Sequence, residues 1–199
     1  MSEHQTQPGQ QGSPSTAKPF FTDVSELRRR ASENIEKGAV TRQYEGDVEQ
    51  AIELLQTVVA TEICCVMRYT MHAIAAQGID ASGAIEQFKE HAASEKKHEL
   101  MAANRIDQLG GVPNYNPEGL AMRSATQYTG KTELVEMIKE DLIAERIVIA
   151  HYNELIRYFG EKDITTRRML ESILEDEEDH ATDMHDLLVA HQGQPFLSA

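Results

Sequence analysis

The run Leu174-Glu175-Asp176-Glu177-Glu178-Asp179-His180 holds a glutamate and a histidine, Glu177 and His180, three residues apart. On a helix that spacing puts both side chains on one face, within reach of a single metal ion. The pair occurs once more, in Glu95-Lys96-Lys97-His98. Each copy follows a helical segment in which one acidic residue takes a place that the apolar stripe gives to a hydrophobe, Glu62 in the first half and Glu145 in the second. Glu62 and Glu145 are 83 residues apart, and Glu95 and Glu177 are 82 apart. The chain therefore reads as two halves, each giving a lone Glu and then Glu-x-x-His. Folded face to face, the halves supply four carboxylates and two imidazoles, a set that suits two divalent iron or manganese ions.

The helices that carry these residues follow from the period of the hydrophobic positions. A chain of 199 residues with 40% apolar content can build one domain with a real core. Residues 1–19, rich in Gln, Ser, Thr, Pro and Gly, read as a disordered tail ahead of a domain over 20–199. Thr22 or Asp23 caps a short helix expected to run to Lys37. Asp47 opens the first long helix, whose inward positions are Ile52, Leu55, Val59, Glu62, Val66, Tyr69 and Ala73. Gly78 ends it. The second helix starts near Ser82 and carries Ile85, Phe88, Ala92, Glu95, Ala102, Ile106 and Leu109 inward. The segment from Gly111 to Gly130 is too long for a simple link between antiparallel neighbours and predicts a crossover, with a turn of helix near Asn116–Leu120. Thr132 is the expected cap of a third helix carrying Leu142, Glu145, Ile149 and Tyr152, and Gly160 its stop. A fourth begins at Asp163 or Thr165 and ends near Gln192, so that the bundle core spans about 47–192. Gly193–Ala199 are too few for another useful helix. The fold class is all-α.

A buried lone carboxylate costs several kcal/mol unless it is paired or bound to metal. Four of them on apolar stripes, two with a His at the third position, predict a metal site at Glu62, Glu95, His98, Glu145, Glu177 and His180. Glu175, Asp176, Glu178 and Asp179 read instead as a solvated face. His72, His151, His185 and His191 read as surface or supporting residues, with His91, one turn before Glu95, held apart from them.

With this motif set the chain resembles the ferritin superfamily, and within it a Dps-like protein with a bacterioferritin-type di-iron site. The resemblance covers about Asp47 to His191. It implies a ferritin-like four-helix bundle with one long crossover, preceded by the short helix and the tail. It implies that Glu62 and Glu145 bind one metal each, that Glu95 and Glu177 bridge both, and that His98 and His180 are the nitrogen ligands of two iron ions per subunit, with manganese as the other metal. Tyr69, seven residues after Glu62, matches a bacterioferritin tyrosine that can donate an electron to the centre. Bacterioferritins place a haem-binding Met after the second-helix Glu, where this chain has Lys96, and carry a fifth helix. Haem is therefore not expected, and the implied homo-oligomeric shell has 12 subunits rather than 24. The implied function is a ferroxidase that oxidises Fe(II) with hydrogen peroxide or dioxygen and stores Fe(III) mineral against oxidative stress. The alternatives are a di-manganese catalase and a DNA-coating or structural shell protein.

The net charge of −14 opposes broad nucleic-acid affinity, and Lys18 alone gives the tail no basic cluster, so DNA is not an expected partner. The adjacent Cys64 and Cys65 cannot close a useful loop, which suits a reduced compartment. No run reads as a membrane span and the N-terminus lacks a signal-peptide pattern, so the expected location is the cytoplasm.

Overall fold

The computed structural model describes residues 23–78 and 81–192. The tail expected over 1–19 and the segment Gly193–Ala199 lie outside them. The chain divides into two compact units between Ile35 and Glu36.

The first unit holds α1 (Val24–Ala31). Asp23 caps it, its Oδ1 accepting from the Ser25 amide at 2.8 Å. Glu26 accepts from both Arg29 and Arg30, and those bonds hold its carboxyl down at about 2. The sequence predicts a helix running to Lys37, but the chain leaves the helix at Ser32. Asn34 then takes a φ of 53°, a left-handed conformation that Asn tolerates and a continuing helix forbids. Only a single turn of 3-10 helix follows, Ile35–Lys37.

The second unit is built on four long helices: α2 (Val48–Ala75), α3 (Ser82–Gln108), α5 (Leu134–Phe159) and α6 (Ile164–Gln192), with a one-turn α4 (Leu120–Arg123) in the crossover. Asp47 caps α2 through the Gln50 amide at 3.1 Å. The N-terminal position of α5 belongs to Glu133 and makes no side-chain cap, whereas the sequence points to Thr132. Short links join α2 to α3 and α5 to α6, which makes each pair an antiparallel hairpin. The crossover carries the chain from one hairpin to the other, and α4 packs on α2.

Side-chain pairs fix the register between the hairpins. Along α2 and α5, Thr57 meets His151 at 3.3 Å and Arg68 Nε donates to Asp141 Oδ1 at 3.1 Å. Along α3 and α6, His98 meets Asp176 at 3.0 Å and Arg105 Nη2 donates to Asp163 Oδ1 at 2.9 Å. In both cases the partners run in opposite directions. The same Asp163 caps α6, accepting from the Thr166 amide at 2.9 Å, and also accepts from the Tyr44 hydroxyl at 3.0 Å.

The apolar interior is not continuous. One block gathers Leu55, Val59, Ile106, Phe159, Leu170 and Ile173 at one end of the bundle, and a second gathers Phe88, Met137, Ile138, Met184 and Leu188 at the other. Within α2 an 18-residue window reaches a mean hydropathy of 1.4, long and apolar enough to cross a membrane, where the sequence reading finds no such run. Its buried Glu62, Arg68 and His72, and its packing against α3, α4 and α5, make it a core helix of the bundle.

Candidate metal centre

Between the two apolar blocks the four helices turn carboxylates inward. Glu62 on α2, Glu95 on α3, Glu145 on α5 and Glu177 on α6 are each fully buried, and His98 and His180 are nearly so. The helical period places them there: each Glu lies on its helix's inward stripe, with Val59, Ala92, Val148 and Ile173 among the apolar residues three or four positions away. The structure thus brings all six residues singled out in the sequence into one layer.

They form two overlapping groups. Glu62, Glu95, His98 and Glu177 each offer an oxygen or nitrogen within 4.8 Å of the others, and so do Glu95, Glu145, Glu177 and His180. Glu95 and Glu177 belong to both. His98 Nδ1 lies 3.0 Å from Glu177 Oε1 and 3.4 Å from Glu95 Oε2, while His180 Nδ1 lies 2.9 Å from Glu95 Oε1 and 3.3 Å from Glu177 Oε2.

Protein groups alone do not satisfy this layer. Both oxygens of Glu62, Glu95 and Glu177, Oε2 of Glu145 and Nδ1 of both histidines are buried with no well-formed hydrogen bond among the described residues. Such groups are costly in an apolar interior. Fully ionised, the four carboxylates carry four negative charges, which two divalent cations would balance. The mixed oxygen and nitrogen donors fit iron or manganese.

The electrostatics show what holds the layer together without cations. Burial disfavours charge on His98 and His180, yet the flanking Glu177 and Glu95 outweigh it and raise each ring to about 10. Burial likewise acts to raise Glu95, and the two histidines overcome it and hold that carboxyl at about 2. Glu145 behaves in the opposite way, because burial and the nearby Glu177 and Glu95 push its carboxyl well above the ordinary range.

Around this layer lie further residues, some of which the sequence singled out and some of which it did not. Asp176, read as part of a solvated face, is half exposed yet contacts His98 Nε2 at 3.0 Å, which orients the ring with Nδ1 inward. His72, read as surface or supporting, is fully buried, with Nδ1 2.8 Å from Asp141 Oδ2. Arg68 completes that network and also donates to Cys65 Sγ at 3.2 Å. Cys64 and Cys65 are buried free thiols, and burial drives the Cys65 pKa well above its usual value. Tyr69 is fully buried and donates its hydroxyl to Glu145 Oε1. Tyr152, seven residues after Glu145 as Tyr69 is after Glu62, is just as buried, but its hydroxyl has no partner among the described residues.

The sequence profile of the ferritin-like domain matches residues 52–192, which takes in all but the first turn of α2, the whole of α3 to α6 and every residue of the layer. The chain belongs to the ferritin-like family. Among solved structures, the dodecameric thioferritin of Bacteroides fragilis, described as bacterioferritin-related, is 28% identical, with a TM-score of 0.71 over 77% of this chain and 94% of that one. A bacterioferritin of Desulfovibrio desulfuricans, whose structure shows a diiron site in different catalytic states, is 26% identical, with a TM-score of 0.63 over 76% of this chain and 89% of that one. A DNA protection during starvation protein of Pyrococcus furiosus is 28% identical over 153 residues, 75% of this chain and 83% of that protein. The chain is thus a ferritin-like protein with a buried carboxylate and histidine cluster resembling a di-iron site.

Proposed function

We propose that the protein is a ferroxidase and iron-storage protein that oxidises Fe(II) with hydrogen peroxide or dioxygen and holds Fe(III) mineral in a homo-oligomeric shell. The observation that carries this reading is the sharing of Glu95 and Glu177 between two ligand groups. Two Fe(II) ions, as substrate, supply one electron each, and with two protons reduce one hydrogen peroxide to two waters, or one dioxygen to hydrogen peroxide. Glu62 and His98 hold one ion, Glu145 and His180 the other, and Glu95 and Glu177 bridge them. The surrounding apolar blocks exclude bulk water, which strengthens the hold of the carboxylates on the ions. With dioxygen, whose reduction past peroxide takes more than the two electrons of the iron pair, Tyr69 would supply one further electron and its phenolic proton, a role its hydrogen bond to Glu145 supports.

The shell is dodecameric in this reading, as in the Bacteroides fragilis relative. A DNA-coating role is disfavoured by the net charge of −14, since DNA affinity rests on Lys and Arg neutralising phosphates. The buried free cysteines suit a reducing cytoplasm. The test combines metal analysis with stopped-flow Fe(II) oxidation, with peroxide and dioxygen compared, on wild type and on Glu95→Ala and Glu177→Ala. Loss of the fast phase in assembled variants is the expected result. Wild-type rates in both variants overturn the assigned site, and oxygen evolution from peroxide without mineral points instead to a di-manganese catalase.

A further inference from the structure

The layer has a seventh inward donor. His91, one turn before Glu95 on α3, is 3% exposed, and its Nδ1 is buried with no hydrogen-bond partner among the described residues. Its Nε2 lies 3.2 Å from Asp183 Oδ2. This arrangement copies that of His98, whose Nε2 meets Asp176 and whose Nδ1 faces the cluster. His91 and His98 are two turns apart on α3, and Asp183 and Asp176 are two turns apart on α6. The antiparallel register therefore presents both rings in the same way, each tethered at Nε2 by an α6 carboxylate. A tether of that kind fixes the tautomer that leaves the other nitrogen free to bind metal.

The ring's position decides which ion it serves. His91, Glu145 and His180 each offer a ligand atom within 4.8 Å of the others, while neither Glu95 nor Glu177 shares a group with His91. Its ring stacks on His180 with centroids 4.1 Å apart and meets the edge of Tyr69 at 5.1 Å. We propose that His91 is a seventh metal-binding residue, a third nitrogen donor that serves the ion held by Glu145 and His180. Joint ligation turns the two rings out of their stack, a motion of side chains alone. The two metal positions then differ in kind, one with a single nitrogen and the other with two, and the second extends away from the bridging carboxylates toward Tyr69.

This inference rests on the two-ion reading of the cluster, and cobalt(II) separates the two. Anaerobic titration of the assembled protein, followed by equilibrium dialysis and the d–d absorption of the bound ion, counts the ions and reports their donors. Wild type is expected to bind two ions per chain. His91→Phe keeps a ring to stack on His180 but removes the nitrogen. One of the two ions should bind at least about tenfold more weakly with an altered d–d spectrum, and the other should be unchanged. Asp183→Asn, at a half-exposed position that does not threaten the fold, should weaken the same ion. Wild-type affinity and spectra in both variants overturn the proposal while leaving the two-ion centre standing. Fewer than two ions bound by wild type overturns both readings.

Discussion

The Tyr69 hydroxyl donates to Glu145, joining α2 to α5 at the carboxylate whose pKa burial and its neighbours raise most clearly. The phenol is itself pushed well above its usual value by burial and by Glu145, so it stays protonated and donates. Tyr69→Phe removes this donor and no metal donor. Two ions should still bind, while iron oxidation should slow several-fold, far less than the loss expected for Glu95→Ala. Stopped-flow oxidation read beside metal stoichiometry checks both halves.

Metal uptake should release protons. His98 and His180, raised to about 10, are imidazolium at pH 7, and Glu145 holds a proton above the ordinary carboxylate range. Ligation requires the rings deprotonated, so loading two ions at pH 7 should expel about two protons from His98 and His180, with any held by Glu145 in addition, and affinity should fall as pH drops. Calorimetry in buffers of different ionisation enthalpy gives the number. Zero release would show that the rings are already neutral.

The tether on His98 predicts a contrast between two exposed acids. Asp176→Asn removes the carboxylate that orients His98 and should weaken the ion at that position by about 10- to 100-fold. Glu178→Gln, two residues on and solvated, should leave affinity unchanged. Equal effects of the two substitutions would reduce Asp176 to a contributor of general negative charge.

Asp163 predicts a stability effect remote from the cluster. Burial acts to raise its pKa, but the bonds from Thr166 and Arg105 outweigh it and hold the carboxyl below its ordinary value. A depressed folded pKa contributes stability above the unfolded value near 3.9, lost as pH falls through the folded one. Asp163→Ala strands the buried Arg105 and uncaps α6, and should cost about 3 kcal/mol at pH 7. Thermal melts of wild type and variant should converge only as pH falls below the ordinary Asp range.

Much of this was legible in the sequence for a definite reason. Helical period places Leu55, Val59, Glu62 and Tyr69 on one stripe without any knowledge of what they face, and the repeat of Glu-x-x-His names the cluster. Residues whose meaning depends on a partner across the bundle were not legible in this way. Asp176 is one more exposed acid until α3 and α6 are set in register, and Arg68, Asp141 and His72 are three unrelated polar residues until α2 meets α5. The motif itself held the missing register, since Glu95 opposite His180 and His98 opposite Glu177 put Asp176 beside His98. Local backbone choices also escaped: the left-handed Asn34 that stops α1 early, and the N-cap of α5 at Glu133 instead of Thr132.

The division of the interior into two apolar blocks has a consequence for a site that must fill and empty. Hydrocarbon packing on both sides of the charged layer sets the helix spacing there, as two clamps hold a hinge pin. Cations arriving at the layer find their ligands already spaced and need spend no binding energy on folding, unlike a zinc finger that collapses only around its ion. Departing cations would leave an intact frame. Such a vessel can be charged and drained through many cycles without being rebuilt.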